Sequence, residues 1–374
     1  MNIRTSRLYD YLLLMLLTFL VVFEQVNNIY KSQIISKITF GIALIILIIG
    51  ILANLLKNQT IPNLLYILLM VSLLVVLKKD YIFVYAISIA IACLPLKINR
   101  FLSIYRLVLF FEILIIFLLA CLLILPIRSR TGTLAFGFVN ENLTGMTFSM
   151  LSLLTLFNFR NHVMLSPTIK SIALNFLSII LNIFLFKDYT MVALYFLFAV
   201  FLMLNKYIKS QKVMYVSAIV PALSFCISYF IAKNFLHYLW ISKLNIFMTW
   251  RPFIWHYYLS TYPISLFGAS SLGWNANNQI LSGAVDGSYI YMLIFFGYVV
   301  LIIVILGLIL CNILLVRKNI LGLLALIVSI EIVGISENII FNYDNCFLFV
   351  MLFLSYNFEW YKVPAKLNLS RRYK

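Results

Sequence analysis

Apolar residues in this chain come in runs long enough to cross a hydrocarbon layer, and charged residues are confined largely to the short stretches between them. A helix needs about 17 to 25 residues to span a bilayer, and helices and closed barrels are the structures that satisfy their own backbone there. Run cores fall at 8–26, 34–56, 61–77, 81–97, 104–126, 141–159, 170–187, 189–205, 213–232, 288–316, 319–340 and 345–361. The pattern predicts an all-α, polytopic integral membrane protein of about twelve transmembrane helices, folded as a single membrane domain over 1–374.

One stretch breaks the rhythm. Residues 233–287 are too polar and irregular to sit in lipid, yet strongly apolar runs flank them. This predicts a long extracytoplasmic loop carrying short helices. Pro252 lacks a backbone donor and suits a first helical turn, so one such helix starts within 249–251 and runs through Tyr258.

Composition agrees. Hydrophobic residues make up 64% of the chain and charged residues 10%, which excludes a water-soluble domain. The net charge of +17 would suggest nucleic acid in a soluble protein. In a bilayer, excess Lys and Arg first report orientation, because they are retained on the cytoplasmic side. With the N-terminus inside, 18 of the 28 cations fall on the cytoplasmic side and the other 10 outside, so both termini are placed in the cytoplasm. Arg4 and Arg7 precede the first run as in a signal peptide, but no small-residue cleavage site follows, and the run reads as a retained helix.

The five cysteines are scattered without paired spacing and the three histidines never cluster, so neither a disulfide framework nor a metal site is indicated. Nor is there a 20–50-residue repeat or a matched pair of broken helices of the kind found in inverted-repeat carriers.

The cations that defy the inside bias draw attention. Arg128, Arg130, Lys187 beside Asp188, and Arg251 all map to outer loops or helix ends, as do the acids Asp286 and Glu337. Arg130 precedes a loop containing Gly137, Asn140, Asn142 and Gly145. Its guanidinium could fork onto a phosphate, or could snorkel to lipid headgroups. Arg251 lies at a helix N-terminus, where dipole and side chain both favour an anion. Trp255 and Tyr258 follow on the same face, placed either to carry a sugar ring or to bury in an aromatic belt. His256 points away from Arg251. Asp286 could activate a hydroxyl or orient an arginine, with Tyr289 beside it, and with Ser288 it could equally cap the following helix. Glu337, an acid close to the membrane, is costly unless paired, and Glu112 and Glu331, deeper in their runs, each require a buried partner or a cavity.

This order of motifs resembles the Wzy-type polysaccharide polymerases of the O-antigen ligase and polymerase superfamily. The match is carried by Arg130 with Phe136, Gly137, Phe138, Asn140, Asn142 and Gly145, by Arg251 with Trp255, and by Asp286 and Tyr289 leading into a helix with Gly297. Glu337 looks like the family's acid near the last outer turn. One departure is the run Lys187-Asp188-Tyr189-Thr190, where such proteins often carry a serine and arginine after the aspartate; Lys187 could replace that arginine.

The resemblance implies a metal-independent glycosyltransferase, without cofactor, at the extracytoplasmic face of the cytoplasmic membrane. It would extend an undecaprenyl-pyrophosphate-linked glycan by one lipid-linked repeat unit, alongside a flippase and a chain-length regulator. Asp286, Glu337 and Arg251 would be catalytic, and Arg130, Lys187, Asn142, Trp255, Tyr258 and Tyr289 would bind substrate. A lipid-linked oligosaccharide flippase and a ligase acting on another acceptor are the alternatives.

Overall fold

The computed structural model describes residues 3–56, 81–129, 132–159, 163–207, 214–268 and 285–340, and it is helical almost throughout. In chain order the helices are α1 (Ile3–Tyr30), α2 (Gln33–Leu56), α3 (Tyr81–Cys93), α4 (Ile98–Cys121), α5 (Glu141–Leu154), α6 (Ile169–Leu181), α7 (Tyr189–Tyr207), α8 (Val220–Lys233), α9 (Leu239–Phe247), α10 (Arg251–Thr261), α11 (Ser288–Arg317) and α12 (Leu321–Val333). A two-stranded hairpin, β1 (Phe157–Asn158) with β2 (Met164–Leu165), joins α5 to α6. Among the described residues six helices are long and apolar enough to cross a membrane: α1, α2, α4, α6 with its terminal π turn, α8 with its leading 3₁₀ turn, and α11. The protein is a helical, membrane-embedded one. The apolar runs at 61–77 and 345–361 lie outside the described residues.

Several helices stop short of the apolar run that encodes them, and the punctuation is visible. α3 ends at Cys93, two residues before Pro95, which disfavours helix in the residue preceding it. α12 ends at Val333, and the segment after it is held elsewhere. α6 passes at Leu181 into a π turn, Asn182–Phe186, which ends on Lys187 in the left-handed region (φ 55°). π turns recur at functional sites.

Packing runs as a chain of neighbours: α3 on α2, α2 on α1, α1 on α4, α4 on α5, α5 on α6. α7 then closes against α12, which sits with α8 and α11. Alternating helix direction brings the last turns of α4, α6, α8 and α12 to the same end of the bundle as the first turns of α5, α7 and α11. Gly145 on α5 makes this close approach feasible, since an added Cβ would meet Asn182 Oδ1 at 2.4 Å and Asp188 Oδ2 at 3.1 Å. Small and polar residues are the usual means of bringing membrane helices together. Ser149, Ser152, Asn175 and Asn182 do this across α5 and α6 through hydrogen bonds such as Asn182 Nδ2 to Ser149 Oγ (3.0 Å) and Asn175 Nδ2 to the Ser152 carbonyl (2.8 Å).

α11 is interrupted. Gly297 has φ 76° and ψ −175° inside the helix, and the chain at Leu266–Gly268 lodges in the break, with Val299 N–H donating to the Leu266 carbonyl (3.1 Å). A Cβ at Gly297 would lie 2.2 Å from Gly268 N, so this position requires glycine sterically as well as conformationally.

Glu331, fully buried on α12, finds its buried partner in an amide: Asn312 Nδ2 of α11 donates to both carboxyl oxygens at 3.1 and 3.0 Å. Glu112 is fully buried on α4.

Candidate functional site

α10 begins where the sequence placed it, but its start is more constrained than Pro252 alone implies. α9 ends at Phe247, and Thr249 (φ 54°) and Trp250 (φ 67°) both occupy the left-handed region. Two consecutive non-glycine residues there cost about 1–3 kcal/mol each and persist only when their surroundings over-determine them. The determinant is Asn245, buried on α9, whose carbonyl accepts from Trp250 N–H (2.8 Å) and whose Oδ1 accepts from Phe253 N–H (3.0 Å). The outcome is a sharp turn that drives Arg251 into the bundle end, where it is 9% exposed.

There the Arg251 guanidinium meets two acids from distant parts of the chain. Nη2 lies 2.5 Å from Glu337 Oε1, while Nε and Nη2 lie 3.3 and 3.2 Å from Asp286 Oδ2. Thr190 Oγ1, at the start of α7, donates to the same Glu337 oxygen (3.0 Å). Thr190 N–H and Met191 N–H in turn donate to Asp188 Oδ1, both at 3.2 Å. A continuous polar file therefore runs Asp188, Thr190, Glu337, Arg251, Asp286. Its open end is Asp286, whose side chain keeps 35% exposure against 10% for Arg251 and 13% for Glu337.

The carboxylates are held from behind. Gly287 (φ 97°) turns the chain into α11, and a Cβ there would meet the Ile335 carbonyl and the Trp255 ring, each at 2.7 Å. Trp255 Nε1–H donates to the Asp286 carbonyl. Ser288 ties the Glu337 segment down: its N–H donates to the carbonyls of Gly334 (2.8 Å) and Glu337 (3.1 Å), and its Oγ donates to Glu337 (2.8 Å) and accepts from Ile340 N–H (3.1 Å). Asp286 does not cap α11; Gly287 occupies that position with no side-chain cap.

The electrostatics follow from burial and crowding. Burial pushes the Glu337 carboxyl up to about 8; Arg251 opposes this, and Asp286 and Asp188 add to it. Burial likewise raises Asp188 to about 6, against backbone hydrogen bonds and Arg251. Asp286 is raised by burial, with Arg251 pulling it back. For Arg251, burial favours the neutral form, but Glu337 and Asp286 together outweigh it and hold the guanidinium above its ordinary value. One cation thus faces three carboxyl groups. Burial and the crowding of acids favour the protonated form of Glu337 near neutrality.

The other candidates divide clearly. Trp255 (0% exposed), Tyr258 (2%) and Tyr289 (0%) are interior side chains, which corrects their assignment as rings facing a substrate. Trp255 supports Asp286 and Gly287, Tyr258 stacks on Tyr262 with ring centroids 5.7 Å apart, and the Tyr289 hydroxyl donates to the Glu331 carbonyl (3.0 Å). Apolar interior and donor satisfaction compete with ligand contact for such side chains, and here they win. Lys187 and Asn142 are exposed at the same end of the bundle as Arg251. Arg130 lies outside the described residues. His256 turns away from Arg251, its Nδ1 lying 2.9 Å from the Ala232 carbonyl. Asp188, Thr190 and Gly287 were not singled out as site residues from sequence. Asp188 had a signal, as an acid closing an apolar run, and Asp286-Gly287 is a turn dipeptide.

The fold and this cluster define a membrane-embedded helical protein with an arginine and carboxylate centre at one end of its bundle. Comparison with protein-family models, with curated proteins and with solved structures finds no match to the chain.

Proposed function

We propose that the protein is a glycosyltransferase that polymerises lipid-diphosphate-linked repeat units, of the Wzy-like kind, working at the membrane face onto which Asp286 opens. The observation that carries this reading is the convergence of Arg251, Asp286 and Glu337 from three separated segments onto one half-open centre. The reaction joins an acceptor hydroxyl to the anomeric carbon of the donor glycan. As that O–C bond forms, the bond from carbon to the diphosphate oxygen breaks and its electron pair leaves with the diphosphate. Asp286, the most exposed acid of the centre, takes the hydroxyl proton in its carboxylate form. The departing diphosphate needs positive charge. Arg251 is already held by Asp286 and Glu337, so it meets the diphosphate fully only when Glu337 releases its share of the guanidinium. Lys187, exposed at the same end, adds a second cation.

A second reading, a transporter of the same lipid-linked glycan, is favoured by the break in α11 at Gly297, since discontinuous helices line substrate paths in carriers. Purified protein in liposomes with a defined lipid-diphosphate repeat unit separates the two. Polymerisation yields longer glycan and free lipid diphosphate, lost in Asp286→Asn. Movement of the lipid across the bilayer without longer product would overturn the transferase reading.

A further inference from the structure

Between Asp188 and Asp286 the chain contains no acidic residue. Inside this stretch lies α9, a nine-residue helix that follows directly on the membrane helix α8. One face of α9 is committed to the protein, with Ile241 fully buried and Asn245 at 3% exposure gripping α10. At 100° per residue the opposite face collects Leu239, Trp240, Lys243, Ile246 and Phe247. Four of these are large and apolar yet very open: Leu239 85%, Trp240 51%, Ile246 74% and Phe247 86%. Leu236 and Trp250, in the turns that flank α9, are also open, at 74% and 60%. A contiguous apolar patch of this kind marks an interaction surface.

We propose that α9 is an interfacial helix, its Leu239, Trp240, Ile246 and Phe247 face lying in the headgroup and upper acyl region of an anionic phospholipid bilayer, with Lys233 and Lys243 on lipid phosphates. Three observations select lipid as the occupant. The patch is continuous with the end of a membrane helix, α8, whose last turn carries Lys233. Lys243 sits within the apolar face, where its stem can lie on hydrocarbon and its ammonium can rise to the phosphates. The surrounding sequence has cations and no anion, the complement of an anionic surface. Tryptophan at both Trp240 and Trp250 suits the interface chemically. Because Asn245 clamps the Arg251 turn, the depth at which α9 rests also sets the depth of the arginine centre beneath the headgroups. The inference does not depend on the transferase reading.

The test uses the full chain with its five cysteines replaced by alanine, reconstituted in phosphatidylglycerol and phosphatidylethanolamine vesicles. A nitroxide is attached in turn at Trp240→Cys, Phe247→Cys, Ser242→Cys and Ser260→Cys, and its collisions with oxygen and with a water-soluble nickel complex are compared. Oxygen should dominate at positions 240 and 247, and nickel at 242 and 260. Adding Lys233→Gln and Lys243→Gln, or replacing the anionic lipid by phosphatidylcholine, should make positions 240 and 247 several-fold more accessible to nickel. Nickel-dominated collisions at 240 and 247 in the anionic vesicles would overturn the proposal. So would protection from both reagents, which would mean that protein, another part of this chain or a second copy, covers the face. A depth indifferent to both lysines and to lipid charge would refute the phosphate contact.

Discussion

Replacing Arg251 by lysine keeps the charge and removes the geometry, and so tests whether the centre depends on a fork. The guanidinium reaches Asp286 through Nε and Nη2 while Nη2 also holds Glu337. A lysine ammonium is a point charge and cannot span both carboxylates with that geometry. Even seated where Nη2 lies, it loses the Nε contact to Asp286 and loosens that side chain. A charge-assisted hydrogen bond is worth about 1.5–3 kcal/mol net. Asp286 keeps 35% side-chain exposure, so solvent screening selects the lower end. About 1.5 kcal/mol corresponds to roughly a tenfold loss in the rate of the proposed transfer. Arg251→Ala should be far worse, because three carboxyl groups then crowd one site without a cation. The assay is the initial rate of the proposed glycan elongation by reconstituted protein, with thermal aggregation followed in parallel. A lysine variant with wild-type rate would show that only charge matters at this position and would refute the positioning argument.

Three further outcomes follow from the same geometry. The Glu337 carboxyl is raised from 4.5 to about 8, so its contribution to stability is fully present below about pH 4.5 and is lost as pH rises through about 8. The thermal midpoint should therefore fall across that window, and Glu337→Gln should flatten the fall; an unchanged slope would place the titration elsewhere. Gly287→Ala forces a Cβ against the Ile335 carbonyl and Trp255 at positive φ, costing about 1–2 kcal/mol from conformation alone. A lower midpoint and a changed tryptophan fluorescence are expected, and wild-type values of both would contradict the packing described. His256→Ala removes one contact to the Ala232 carbonyl, worth about 1 kcal/mol. The proposed transfer should hold while the midpoint drops slightly, and its loss would bring His256 into the centre.

Much of this protein is legible in one dimension. Membrane embedding follows from runs of apolar residues, because the bilayer imposes the same requirement on every spanning segment whatever its neighbours are. The α10 start at Arg251 was legible too, because Pro252 acts within its own turn. The importance of Arg251, Asp286 and Glu337 could be suspected for a similar reason: charge beside lipid is costly and needs a partner. Which partner each one takes was not local information. Arg251 and Glu337 are 86 positions apart and Arg251 and Asp286 are 35 apart, and only the packing of α10, α11 and α12 brings them together. Trp255, Tyr258 and Tyr289 show the same division from the other side. Their chemistry suits a sugar as well as it suits a core, and the choice was made by helices that enclosed them. Thr190 and Ser288 gain their roles only because α7 and α11 begin beside the end of α12. Hydrophobicity is a property of each residue and can be read in order along the chain, whereas a hydrogen-bonded centre is a property of pairs, and tertiary structure decides the pairs.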